Sequence, residues 1–302
     1  MLLDHTVQFC DRMYSSFGNN CGCTGGTCNH PSGHCSGNCY NCLYHVHYPS
    51  KAPQDAKKDY DCVKMLYHYV CQYSYLYSSE LVCAFEHEWS FIRGLPYYKI
   101  LSLGCGGCAD LMGFEFLMNE KRITVPVSYM GIDKNPLWAP IHQNISNYCN
   151  NVNIRFLPYH EDVFKFFQDY YVSDVNIIVI SYLISHLYNT GQISEIDDLA
   201  RYLVNTIQKK DTPLLLVIND VNSYKRGRDF FSHFLRAIQN SGLTVSKSEY
   251  KYFDTGNLYD GQRLGTPYSV NHVVSDIPDT IKRKYHAIAS INQTVQLLVE
   301  VS

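Results

Sequence analysis

The stretch Ile100-Leu101-Ser102-Leu103-Gly104-Cys105-Gly106-Gly107-Cys108-Ala109-Asp110 decides the fold. An apolar run, Tyr98–Leu103, ends in glycines and passes into a helical pattern, Asp110–Asn119. Glycine is demanded where the backbone must turn sharply, approach a ligand closely and present helix N-terminal amides to it. A bare Gly-x-Gly says little, but a strand before it and a helix after it supply the confirming context. Downstream, Gly131-Ile132-Asp133 closes a second run, Val127–Ile132. An acidic residue at that strand end can accept both ribose hydroxyls of a nucleoside cofactor. Gly104 and Asp133 lie 29 residues apart, against a usual ~20, and the polar loop Asn119–Val125 accounts for the excess.

Working outward, short β-branched runs alternate with helical patterns. Strands are expected at Tyr98–Leu103, Val127–Ile132, Val152–Leu157, Val175–Ile180 and Leu214–Ile218. Helices are expected at Asp110–Asn119, Pro140–Cys149, Val163–Tyr171, Ser194–Gln208 and Gly227–Ser241. This alternation implies right-handed crossovers and a parallel sheet covered on both faces. Leu243–Phe253 and Thr294–Val301 are strand-like with a mixed segment between them, which predicts an antiparallel edge pair. After the third strand come Glu161-Asp162-Val163. Asp162 either accepts from an adenine amine or N-caps the next helix.

The order strand–GxG–helix, strand–Asp, strand–Asp, strand–short motif, over about residues 97–302, resembles class I S-adenosylmethionine-dependent methyltransferases. The resemblance implies a Rossmann-like, seven-stranded, mostly parallel sheet with an antiparallel tail strand. It makes Gly104, Cys105 and Gly106 the cofactor loop, Asp133 the ribose ligand, Asp162 the adenine-side acid and Ser181 a neighbour of the cofactor. Two positions depart from it: Cys108 stands at the third loop glycine and Ser102 at a frequent acidic site. A nicotinamide-dependent dehydrogenase is the rival use of such a loop, and the shortened glycine pattern and antiparallel tail count against it.

After the fourth strand the chain reads Ser181-Tyr182-Leu183-Ile184-Ser185-His186-Leu187. It has neither the Asn/Asp-Pro-Pro-Tyr motif of amino-group transfer nor the Pro-Cys pair of cytosine chemistry, and it is similar to the Ser-Tyr-x-Leu-Ser-x-Leu pattern of methyltransferase-like ribosome assembly factors. His186 and Tyr182 are the candidate catalytic groups, with His186 as a general base or as a packing residue. The loop after the fifth strand carries Lys225, Arg226 and Arg228. With Arg263 and Lys282–Lys284 these form a candidate phosphate-binding patch, or else a solvated loop. An RNA or ribonucleoprotein acceptor is the substrate expected through that loop. Formal net charge is −3, so no global field draws the chain to polyanions.

The first 50 residues are of another kind. They hold seven of the 13 Cys and six of the 18 Gly, with almost no apolar periodicity, and read Cys21-x-Cys23-x4-Cys28-x6-Cys35-x3-Cys39-x2-Cys42-x2-His45-x-His47, with His30 and His34 inside. No secretory signal or apolar run of membrane-spanning length is visible, so a cytoplasmic protein with no membrane contact is expected, and thiols in a reducing compartment point to metal. Thiolate and imidazole ligands suit zinc. The most economical single site takes Cys35, Cys39, Cys42 and one of His45 or His47. Cys35-x3-Cys39-x2-Cys42 also has the spacing of the [4Fe–4S] triplet in radical S-adenosylmethionine enzymes, which need a (β/α) barrel directly after it; a non-radical iron–sulfur site is a further alternative. Three zones result: a metal-binding segment 1–50, a helical linker or substrate cap 51–96, and a methyltransferase-like domain 97–302. In the middle zone a Tyr stripe at helical spacing reads as a packed face or as an aromatic binding surface. A methyltransferase is the expected function, with a non-catalytic binding or assembly protein and an iron–sulfur enzyme as alternatives. No residue pattern speaks to oligomeric state.

Overall fold

The computed structural model describes residues 1–18, 39–48, 59–170, 172, 174–207, 212–223, 226–253, 263–291 and 293–302. Cys21, Cys23, Cys28, His30, His34, Cys35 and Lys225 lie outside the described residues.

Eight strands form one sheet: β1 (Tyr98–Leu103), β2 (Val127–Ile132), β3 (Ile154–Tyr159), β4 (Ile177–Ser181), β5 (Leu214–Val221), β6 (Val245–Tyr252), β7 (Thr266–Pro267) and β8 (Thr294–Val301), in the order β3-β2-β1-β4-β5-β8-β6-β7. The first five pair in parallel. β8 runs antiparallel to both of its neighbours, β5 and β6. The expected antiparallel edge pair is present as β8 with β6; the tail strand enters between β5 and β6, and β6 runs in the direction of the parallel set. β7 is a two-residue addition to the seven strands expected. The architecture is a Rossmann-like, mostly parallel α/β sheet with an antiparallel tail strand. Its sheet is open, whereas a radical enzyme would need a closed barrel after the cysteine triplet.

Alternate residues of each central strand bury on opposite faces, as the two-residue period demands. Ile100, Ile177, Val179, Leu215 and Val217 pack on one side, while Leu101, Leu103, Ile178, Ile180, Leu216 and Ile218 pack on the other. The first face is covered by α1 (Leu2–Ser16), α3 (Val63–His87), α5 (Ala109–Glu120), α6 (Ala139–Cys149) and α11 (Asp279–Tyr285). The second is covered by α7 (Val163–Asp169), α8 (Leu183–Asn189), α9 (Ile193–Ile207) and α10 (Phe231–Asn240). The short helices α2 (Cys39–His47) and α4 (Trp89–Ile92) flank α3 in sequence. Among the described residues, no helix is long and apolar enough to cross a membrane.

Packing runs across the boundary expected at residue 50. Leu2, Leu3, Val7 and Cys10 recur at helical spacing and bury in the same core as α3 and β1, a periodicity hidden by the Cys/Gly-rich stretch after it. Residues 63–87 form one 25-residue helix buried on most of its circumference, so the middle zone is a central element of the core. Its crossing with α5 is close: a Cβ on Gly113 would fall 2.6 Å from the Ser78 carbonyl oxygen and 3.4 Å from the Val82 nitrogen. Both obstacles are backbone, so the helices themselves would have to part. Gly113→Ala gains about 1 kcal/mol in helix propensity against an overpacking cost of roughly 1–3 kcal/mol. We expect thermal unfolding to show a melting point lower by a few degrees. A rise in melting temperature would mean that the crossing is loose.

Candidate functional site

Strand order reverses between β1 and β4, since the chain proceeds outward from β1 to β3 and then returns to lay β4 on β1's other side. Loops diverge at such a point and leave a crevice at the carboxyl ends of the strands. Here the crevice holds about 880 Å³ of empty space, open solvent at its mouth included.

Gly104 and Gly106 both lie in the left-handed region, at φ +69° and +46°. Gly104 and Cys105 donate their amides to the Ile132 carbonyl at 2.8 and 3.0 Å, fastening the turn to the end of β2. Asp133 completes the fastening from the other side. Its Oδ2 accepts from the Gly106 amide and its Oδ1 from the Asn135 amide, each at 2.9 Å. Burial pushes the Asp133 carboxyl up, opposed by those two amides. Each carboxylate oxygen has room for a second donor.

Gly104, Gly106, Asp133, Asp162 and Ser181 all line this one cleft. Asp162 meets its structural reading directly: it N-caps α7, Oδ1 accepting from Phe164 at 2.9 Å and Lys165 at 3.4 Å. Because both bonds end on the same oxygen, capping and lining the cleft are compatible. Ser181 Oγ accepts from Asn219 Nδ2 at 3.1 Å. Cys105 differs from the other loop residues, since its side chain turns under the loop toward His142, with Sγ 4.0 Å from Nε2. A smaller inner cavity behind the glycines is lined by Ser74, Tyr77, Ser102, Asp110, Ser181 and Tyr182, among others. Asp110, Tyr60, Tyr69, Lys134 and Trp138, none expected from sequence, also line one or other cavity.

The two candidate catalytic groups part company. Tyr182 lines the cleft with its ring, 4.3 Å from that of Tyr77, but its hydroxyl donates to both oxygens of the buried Glu80 at 3.0 Å and meets Thr294 Oγ1 at 3.1 Å. Burial pushes that hydroxyl well above 10, so Tyr182 is a wall and not a base. His186 lines the cleft beside Tyr60, with ring centres 5.9 Å apart. Burial pulls its imidazole down, against the opposing charge of Asp59, which keeps it neutral near pH 7 and able to accept a proton.

The aromatic wall answers the question of the Tyr stripe. Tyr67 and Tyr75 face the core. Tyr69, Tyr73 and Tyr77, one helical turn apart, make a ladder at 5.3 and 5.2 Å that continues through Tyr77 to Tyr182. One face of α3 is packed and another borders the cleft.

Of the head's ligand residues, Cys39, Cys42, His45 and His47 are described, all on α2. Cys39 buries against Met65 and Cys62. His47 sits 3.0 Å from the Tyr60 hydroxyl through Nε2 and 3.3 Å from that of Tyr73 through Nδ1, and burial pushes it down to about 4, with His186 adding to the shift. Among the described residues no three head ligands converge. The basic loop is corrected at one residue: Arg228 is buried, its guanidinium donating to Asn222 Oδ1 at 2.7 Å and to Asp229 Oδ1 at 3.2 Å, so it belongs to the fold and not to a phosphate surface. Of the distal cations, Lys284 is engaged with Asp11 and Ser15, each at 2.7 Å.

No protein-family model matches the sequence, and no curated protein matches it. Solved structures do. A SAM-dependent methyltransferase from Archaeoglobus fulgidus is 14% identical, covering 74% of this chain and 94% of its own, with a TM-score of 0.41. An S-adenosylmethionine-dependent methyltransferase from Clostridium acetobutylicum ATCC 824 is 10% identical, covering 88% and 100%, with a TM-score of 0.42. The plantazolicin methyltransferase BpumL, in complex with SAH, is 11% identical over 87% and 98%, at a TM-score of 0.40. At these identities the likeness is one of fold.

Proposed function

We propose that this chain binds S-adenosylmethionine in the glycine-loop cleft and transfers its methyl group to an acceptor that enters along the aromatic wall. The observation that carries the reading is one juxtaposition: two positive-φ glycines, the amide-tethered carboxylate of Asp133 and the helix-capping carboxylate of Asp162 on a single cleft. In this reading Asp133 takes the ribose hydroxyls on its remaining lone pairs, and Asp162 takes the adenine amine on Oδ2. On the same reading Asp110, which lines the inner cavity, stands in for the acid missing at Ser102 and takes the cofactor's amino group.

Methyl transfer is an in-line displacement. The acceptor's lone pair forms the new bond to carbon while the C–S electron pair returns to sulfur, and positioning does most of the work. An acceptor that carries a proton must give it up, and in this reading the neutral imidazole of His186, which lines the cleft, takes it. The Cys/His head would hold zinc in this reading. Both nitrogens of His47 lie beside tyrosine hydroxyls, so α2 meets the cleft wall at Tyr60.

Calorimetric titration of the full chain with S-adenosylmethionine tests the first half, with saturable binding expected; binding of a nicotinamide dinucleotide in its place would overturn it. Binding without transfer of a labelled methyl group to any fraction of a cell extract would favour a binding or assembly role. His186→Ala should leave cofactor affinity within a few-fold and lower label transfer by on the order of 10²–10⁴. Unchanged transfer would remove His186 from the chemistry.

A further inference from the structure

Three metal-binding side chains meet beneath the glycine loop. Cys105 and Cys108 form a Cys-x2-Cys pair across Gly106 and Gly107, and His142 reaches them from α6. All three are buried, and their Sγ, Sγ and imidazole nitrogen atoms lie within 4.8 Å of one another. Cys105 Sγ and His142 Nε2 are 4.0 Å apart. Donors on a tetrahedral zinc, with bonds of ~2.3 Å to sulfur and ~2.0 Å to nitrogen, stand about 3.5–3.8 Å apart, so this pair is within a few tenths of an ångström of ligation spacing.

Several features of the chain hold the cluster in place. Cys108 sits at φ +60°, a conformation that glycine takes freely and that costs a side-chain-bearing residue about 1–2 kcal/mol. A cysteine kept there in place of glycine calls for a use of its thiol. Gly131 makes the room for the other thiol, since a Cβ at that position would come within 2.9 Å of Cys105 Sγ. His142 is oriented from behind: its Nδ1 lies 3.0 Å from His160 Nε2, with the two rings nearly parallel at 5.1 Å. Such an outer partner fixes the tautomer and aims the other nitrogen at the metal. Nε2 also lies 2.7 Å from the Gly106 carbonyl oxygen; a metal ion would take the place of the proton shared there, with that oxygen at hand.

Charge selects the ion. Two thiolates, a neutral imidazole and a divalent cation sum to zero, so the assembly can be buried without net charge. Thiolate and imidazole donors reject calcium and magnesium, which need oxygen cages, and suit zinc. We propose that Cys105, Cys108 and His142 bind one Zn²⁺ ion beneath the glycine loop, separate from any metal in the Cys/His head. The ion would cross-link the β1–α5 turn to α6 and so stiffen the loop whose Gly106 amide holds Asp133. This proposal does not depend on methyl transfer.

The test is a zinc count on the zinc-loaded full chain and on its Cys108→Gly variant. Glycine suits φ +60°, so the variant is expected to fold, with circular dichroism to check. It should carry one equivalent of zinc fewer than the parent, whatever the head holds, and His142→Gln should lose the same equivalent. An equal count in parent and Cys108→Gly overturns the proposal. A measurement on the parent alone covers the case of a variant that misfolds: alkylation of Cys105 and Cys108, mapped by mass spectrometry, should rise several-fold once a chelator strips the zinc. Labelling that ignores the chelator overturns the proposal, as does recovery of a Cys105–Cys108 disulfide peptide from protein purified without reductant.

Discussion

Asp133→Ala should weaken S-adenosylmethionine binding by on the order of 100-fold or more while leaving the domain folded. Hydrogen bonds to an ionised carboxylate contribute about 1.5–3 kcal/mol each, and two ribose hydroxyls on Asp133 therefore amount to at least ~3 kcal/mol, a factor of about 100 in Kd. The variant also releases the Gly106 amide that Oδ2 holds at 2.9 Å, so the loop loses part of its preorganisation and the loss grows. Stability should change much less. The carboxyl's burial is unfavourable for its charge, as its upward pKa displacement shows, and removing it relieves that cost while two amide bonds are lost. Asp133→Asn keeps one acceptor oxygen and should fall between parent and Ala. Calorimetric titration beside a thermal melt decides the matter. An unchanged Kd in a folded Asp133→Ala would displace the ribose from this strand end and take the proposed cofactor pose with it.

What could be read from the sequence was what depends on a few adjacent residues. Gly104, Gly106 and Asp133 announce themselves because a tight turn after a strand restricts the backbone locally, whatever packs around it. Cys108 stood out as a departure from the glycine pattern, yet its left-handed φ of +60° shows that the backbone requirement is met there without glycine. Asp162 was ambiguous in sequence because an N-cap and a ligand acid look alike, and in space the residue has the geometry for both. Asp110, Tyr60 and Tyr69 were missed for another reason. Asp110 and Tyr69 reach their cavities from helices packed on the sheet, and helical spacing does not say which of several buried faces borders a cavity; Tyr60 reaches the cleft from the irregular segment just before α3. The insertion of β8 between β5 and β6 is likewise a non-local choice: strand propensity marks the segment but not its neighbours. The helix at Leu2–Ser16 was lost to averaging, since its apolar spacing precedes a long stretch of cysteine and glycine.

Raising the pH from about 4.5 to 7 should cost the parent protein stability that a Glu80→Gln variant does not lose. Glu80 is fully buried on α3 and ties three other elements to that helix. It accepts from Asn219 Nδ2 of β5 at 2.9 Å, from Thr294 Oγ1 of β8 at 2.7 Å and from the Tyr182 hydroxyl at the start of α8. Burial pushes its carboxyl up to about 7, against the pull of those three donors, from 4.5 in the unfolded chain. The folded state therefore holds a proton that the unfolded state has released between those two values. The contribution is fully present below about pH 4.5 and is lost as pH rises through about 7. The displacement corresponds to at most about 3 kcal/mol. Asp220, pushed up to about 6 by burial, acts in the same direction in both proteins, and its charge is one of the causes of the Glu80 displacement. Glutamine has the shape of the protonated acid, so parent and variant should be of similar stability near pH 5, with the variant ahead by up to about 3 kcal/mol at pH 8. Denaturant unfolding at both pH values reads the difference directly. Parallel stability curves from pH 5 to 8 would show that Glu80 is ionised throughout, its charge carried by the three donors.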